Sequence, residues 1–131
     1  PNQQHGFQFL LKLFMLALIG VLFSIPSLSL MAQPWTQLGA DIDGEVAGDQ
    51  SGISVSLSDD GTRVAIGASS NDGSAVDAGH VRVYEYDGSN WSQLGSDIDG
   101  EAAEDYSGGA VAISGDGNRV IIGAYGTGDA G

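Results

Sequence analysis

From Ile53 onward, apolar and polar side chains alternate along the chain with a period of two. Ile53, Val55 and Leu57 alternate with Ser54, Ser56 and Ser58. Val64, Ile66 and Ala68 alternate with Arg63, Ala65 and Gly67. Val81 and Val83 alternate with His80, Arg82 and Tyr84. Each run reads as a short β-strand, because successive side chains of a strand point to opposite faces. A fourth short strand is expected over Asn90–Leu94. Turn-forming residues separate the runs: Asp59-Asp60-Gly61, Asn71-Asp72-Gly73 and Asp87-Gly88. The pattern recurs at Ala110–Ser114 and Arg119–Ala124, joined by Gly115-Asp116-Gly117. No helical period is found after Ala32.

The recurrence is a true internal repeat. Trp35-Thr-Gln-Leu-Gly-Ala-Asp-Ile-Asp-Gly-Glu returns as Trp91-Ser-Gln-Leu-Gly-Ser-Asp-Ile-Asp-Gly-Glu, an offset of 91 − 35 = 56 in the numbering. Of the 41 gapless pairs from Trp35/Trp91 to Ala75/Gly131, 22 are identical. Four short antiparallel strands in a unit of this length form the pattern of a β-propeller blade, and roughly four to eight blades normally close a ring. The expected fold class is therefore all-β: blades of four antiparallel strands, with repeat units 35–90 and 91–131. The second unit stops in mid-repeat, so 33–131 reads as part of a propeller. The Trp35-Gln37-Leu38 strand is the last strand of a unit whose earlier strands are absent. It is expected to complete the final blade of a ring, with the full chain ending near a Gly-His-Val-Arg-Val-Tyr-like strand.

The segment 1–32 differs. One charge, Lys12, precedes the apolar run Leu13–Phe23, which Ser24-Ile25-Pro26-Ser27 interrupts before Ser29-Leu30-Met31-Ala32. This is the order of a secretory signal peptide with a cut after Ala32, or alternatively after Ser29. The competing reading is a retained membrane anchor over Leu10–Leu30. On either reading the remainder is exported, to the medium or the cell surface. The chain begins with Pro1, which points to an incomplete N-terminus.

Charge narrows the function classes. All 17 acidic residues lie after Ala32, opposed there by Arg63, Arg82 and Arg119, so that part carries 3 − 17 = −14. Such a surface excludes binding to nucleic acid or an anionic membrane face; a membrane is reached only through a retained N-terminal segment. The absence of cysteine excludes disulfides and cysteine-ligated metals.

The stretch Ser51 to Ala68 followed by Ala78-Gly79-His80-Val81-Arg82-Val83-Tyr84 resembles the FG-GAP repeats of integrin-α-type β-propellers. Gly52, Gly67, Ala68, Gly79, Val81, Val83 and Tyr84 fit that pattern, as do Gly108, Gly123 and Ala124 in the second copy. Ser51 and Ser107 replace the Phe of the name-giving dipeptide. Calcium-binding members of that family carry a long acidic loop between the first two strands. Here Ser58–Arg63 and Ser114–Arg119 are too short and too poor in carboxylates to enclose Ca²⁺, and read as tight hairpin turns. The resemblance implies an exported binding or adhesion module.

Candidate chemistry sits in the repeated acidic stretches. Asp41, Asp43, Glu45 and Asp49 in one copy, and Asp97, Asp99, Glu101 and Asp105 in the other, offer carboxylates around a glycine that can converge on calcium. The competing reading is a solvated connection between blades. The loop Asn71–Asp77 is a weaker calcium candidate. Trp35 and Trp91 read as packing between blades, and His80, with no nucleophile or second histidine at a motif spacing, as structural. No G-x-S-x-G, H-E-x-x-H or P-loop pattern occurs, and no catalytic residue is assigned. The leading expectation is a non-catalytic module for an unidentified protein or glycan. The alternatives are a calcium-stabilised structural repeat and an accessory domain of a larger secreted enzyme.

Overall fold

A computed structural model describes residues 34–126. The chain divides into two units, Pro1–Trp35 and Thr36–Gly131, and all the strands among the described residues lie in the second. The expected signal segment lies outside the described residues.

The described residues are all-β. Strands β1 (Ser51–Leu57), β2 (Arg63–Ala68), β3 (His80–Tyr86) and β4 (Trp91–Gln93) form an antiparallel meander in sequential order. A very short strand β5 (Ile98–Asp99) also pairs with β3, beyond the end of β4. A second, two-stranded antiparallel sheet consists of β6 (Ala110–Ile113) and β7 (Val120–Gly123). The alternating runs became strands because β-branched and aromatic side chains suit a pleated, half-buried surface. Strand β5 had no signal in the hydrophobic pattern. Its ladder exists because the chain leaving β4 is laid along His80 and Val81, with Gly100 N–H donating to Gly79 O at 2.8 Å.

The two sheets pack face to face. Ala65, Val81 and Val83 are buried, and Val111, Ile113, Val120 and Ile122 of the second sheet pack on them. Register puts Ser56 opposite Ala65 and Ala65 opposite Val83, so the face that β1–β3 turn to the second sheet carries Ser54, Ser56, Ala65, Val81 and Val83. The two serines do not interrupt this contact. Ser54 Oγ donates to Gly108 O at 2.6 Å, and Ile113 N–H donates to Ser56 Oγ at 3.0 Å. Ile53, Val55 and Leu57 point the other way and are each more than half exposed. Gly67 lies under the chain entering the second sheet. A Cβ there would collide with the Gly108 carbonyl, while Gly108 itself sits at φ +86°, a conformation that glycine tolerates.

The sequence repeat is also a repeat of backbone geometry. Left-handed φ values recur at Gln50 and Tyr106 (57° and 52°), Gly52 and Gly108 (88° and 86°), and Gly61 and Gly117 (71° and 69°). Glu104 at 65° occupies the position held by Gly48 in the first copy.

Both hairpin turns are built identically, as the turn chemistry anticipates. Ser58 Oγ donates to Asp60 Oδ1 at 2.7 Å and accepts from Arg63 N–H at 3.0 Å; Ser114 Oγ does the same with Asp116 at 2.5 Å and Arg119 at 3.0 Å. The hydrogen bonds from Ser58 first, then from the Thr62 N–H and hydroxyl, hold the Asp60 carboxyl at about 2, below its ordinary 3.8.

Two outcomes follow from this packing. Gly67→Ala introduces only a steric clash, since its φ is not left-handed, and should cost about 1–3 kcal/mol in a urea melt. Asp60, with its pKa lower in the folded than in the unfolded chain, contributes stability that is present in full above 3.8 and lost as pH falls towards about 2. The stability gap between wild type and Asp60→Ala should therefore be open at pH 6 and narrow steadily below pH 3.8, measured by denaturant melts across that range.

Candidate functional site

Strand direction gathers three long connections at one end of the first sheet. Residues 36–50 run into β1, 69–79 join β2 to β3, and 94–109 leave β4 for the second sheet. The opposite end carries the short turns. The acidic stretches therefore lie together at the loop-rich end, although a full repeat separates them in sequence.

The carboxylates do not assemble as two sets. Gln37 Nε2 donates to Asp41 Oδ1 at 2.8 Å, and Gln93 Nε2 to Asp97 Oδ1 at 2.6 Å, the same local pair in each copy. Asp49 accepts from Val46 N–H at 3.2 Å and Asp105 from Ala102 N–H at 2.8 Å, so both close the local turn that precedes a strand. Asp49 is buried and also accepts from Asn71 Nδ2 at 2.8 Å, which reaches Glu45 Oε2 at 3.2 Å. Asp43, Asp99 and Glu101 are exposed. Among the described residues, neither Asp41, Asp43, Glu45 and Asp49 nor Asp97, Asp99, Glu101 and Asp105 supply three ligand atoms to one point.

What converges instead is one residue from each copy. Glu45, entering the sheet, and Asp97, leaving it, both reach Arg82 on β3. Arg82 Nε donates to Asp97 Oδ1 at 2.9 Å and Nη2 to Oδ2 at 2.8 Å, a bidentate pair, and Nη2 also pairs with Glu45 Oε1. The Arg82 side chain is only 14% exposed. These bonds, led by the one to Asp97, raise the Arg82 pKa still further above its ordinary value. Arg82 in turn is the main cause that holds Asp97 below 3.8, against an opposing effect of burial. His80, on the same face of β3 as Arg82, is buried, and its Nδ1 stands 3.7 Å from Asp97 Oδ2. Glu45, His80 and Asp97 offer ligand atoms that all lie within 4.8 Å of one another.

The same loops border a cleft of about 570 Å³, lined by Glu45 to Asp49 on one side and by Ser70–Gly73, Val76 and Asp77 on the other. Four carboxylates, Glu45, Asp49, Asp72 and Asp77, border this space. The loop Asn71–Asp77 is braced internally: Asn71 Oδ1 accepts from Gly73 N–H and Asp72 Oδ1 from Asp77 N–H, both at 2.8 Å. Trp91 is half-buried; it packs on Tyr86 with ring centroids 5.2 Å apart and donates from Nε1 to Leu38 O at 2.9 Å. It thus fastens the incoming chain to the outer edge of the sheet.

Glu45 and Asp97 were legible as candidate ligands, and Asn71 as the first residue of a weaker candidate loop, whereas Arg82 was not. Arg82 showed only as the polar member of an alternating strand, and the sequence carried no sign of which carboxylates it would meet. Arg82→Met leaves two carboxylates facing each other without their cation, and should cost about 1–3 kcal/mol in a denaturant melt. Arg82→Lys should recover only part of this, since an ammonium cannot form the bidentate pair. No protein-family model, curated protein or solved structure matches the chain, so the reading of this site stands on its own geometry.

Proposed function

We propose that the chain is part of an exported β-propeller-type repeat module that binds a protein or glycan ligand and has no catalytic role. The observation that carries this reading is the head-to-tail complementarity of the two sheets. Val111, Ile113, Val120 and Ile122, which the second sheet presses onto the first, are the repeat equivalents of Val55, Leu57, Val64 and Ile66. Those four form the opposite face of the first sheet, and Val55 and Leu57 there are exposed. In the same way Ala110, Ala112 and Ile121 of the second sheet are in phase with Ser54, Ser56 and Ala65, the face that receives a neighbour. Each repeat therefore offers a branched apolar face on one side and a face of mostly smaller residues on the other, with Ile121 standing in the second copy where the first has Ala65. A series of such units stacks in one direction, and closes a ring when the rotation per unit permits.

The binding surface of this module is the loop-rich end with its acidic cleft. Loops held on a rigid sheet are where recognition normally resides. The apolar run Leu13–Phe23 supports export. A glycan array and an extracellular pull-down with the full-length protein test the proposal. A retained ligand should be lost with the double substitution Asp72→Ala, Asp77→Ala at the cleft and kept with Asp116→Ala at the opposite turn end. Blank results in both assays overturn it.

A further inference from the structure

We propose that Glu45, His80 and Asp97 form a binding site for a divalent transition-metal ion of the Zn²⁺ class, which ties the chain entering the first sheet to the chain leaving it. This inference does not depend on the module being a ligand-binding propeller.

The first observation is the convergence of three ligating side chains from three separate segments within 4.8 Å. The second is independent of it. His80 Nδ1 is buried and has no hydrogen-bond partner, and the His80 side chain is only 4% exposed. A buried ring nitrogen left without a partner costs free energy comparable to a lost hydrogen bond, so its position calls for an explanation. Its nearest carboxylate oxygen, Asp97 Oδ2, lies at 3.7 Å. That separation is too long for a hydrogen bond. It does suit two ligands of one ion: with metal–ligand bonds of about 2.1 Å, ligand atoms at a tetrahedral angle stand about 3.4 Å apart.

The donor set selects the class of ion. Calcium and magnesium take oxygen ligands, whereas a buried imidazole nitrogen beside two carboxylates suits zinc and its neighbours. Charge permits it. Two carboxylates against one guanidinium leave a residual charge of −1 at the site, and a divalent cation reverses rather than accumulates that charge. Arg82 keeps its role, since each carboxylate oxygen has a second lone pair and hydrogen bonds to ligating carboxylates orient them for the metal. The three ligands place such an ion at the loop-rich end of β3, where it would join Glu45 to Asp97 across most of a repeat. Closing so long a loop restrains the unfolded chain most.

The test uses the whole chain, stripped with EDTA and titrated calorimetrically with ZnCl₂, with CaCl₂ as a control. One Zn²⁺ per chain should bind saturably, raise the melting temperature by several degrees, and resist competition by an equal concentration of Ca²⁺. His80→Gln and Glu45→Gln, both folded by circular dichroism, should weaken binding at least tenfold. On the wild-type chain, the imidazole ¹⁵N signals of His80 should shift on adding Zn²⁺, a readout that holds even if either variant fails to fold. The proposal is overturned by the absence of stoichiometric binding, by equal competition from Ca²⁺ (which assigns the ion to the diffuse acidic surface), or by unshifted His80 signals.

Discussion

The contact between the small-residue face of one sheet and the branched apolar face of the next organises everything else in the described residues. Ala65, Val81 and Val83 are the only buried members of that core, and they are small. Their size lets the second sheet come close enough for Gly108 to pass directly over Gly67 and for Ser54 to reach the Gly108 carbonyl. Protein interiors are packed too densely to absorb an extra methyl at such a crossing. The serines of β1 belong to the same logic: a hydroxyl is small, and in an interface crossed by backbone it finds a backbone partner.

This contact has a direction. One face gives and the other receives, so the relation between the two sheets differs from that in a two-fold pair, where the same surface meets itself. The backbone obeys the repeat closely enough that Glu104 adopts the left-handed conformation for which the first copy supplies Gly48. Geometry imposed by the neighbours has outweighed the preference of the residue, at a cost of about 1–2 kcal/mol in intrinsic conformational energy. Charge fixes both ends of the first sheet. At the turn end Arg63 bridges Glu85 on its own sheet and the Gly117 carbonyl and Asn118 side chain on the other. At the loop end Arg82 gathers Glu45 and Asp97. Two of the three arginines after Ala32 thus bind separate segments together, in a chain whose 17 carboxylates would otherwise repel one another.

The acidic stretches show how a correct motif can carry a different meaning in three dimensions. Carboxylates at positions 41, 43, 45 and 49 repeat at 97, 99, 101 and 105, and each copy taken alone resembles a cation loop. The fold separates them by task. Asp41 and Asp97 accept from the glutamine four residues earlier in the chain, Asp49 and Asp105 close a turn, and Glu45 meets Asp97 of the other copy through Arg82 on β3. Local spacing could reveal the first two tasks. The third needs the chain to leave Glu45, build β1 to β4 and return to the same place at Asp97, which only strand pairing accomplishes.

The sequence by itself determined the all-β class, the strands β1 to β4, β6 and β7 to within a residue or two at their ends, the hairpin turns and the repeat period. These are local matters of alternation, turn chemistry and self-similarity. It could not determine which face of each alternating strand would be covered. The side with Ser54 and Ser56 met a neighbour while Ile53, Val55 and Leu57 stayed exposed, because the direction of stacking belongs to a pair of sheets and to no single strand. Nor could it reveal the short β5, whose ladder follows from where the chain is led after β4, or the meeting of Glu45, His80, Arg82 and Asp97. That meeting arises because β3 presents His80 and Arg82 on one face, at the end where two connections from different copies cross. Tertiary structure made one site from residues that the linear pattern had divided between two.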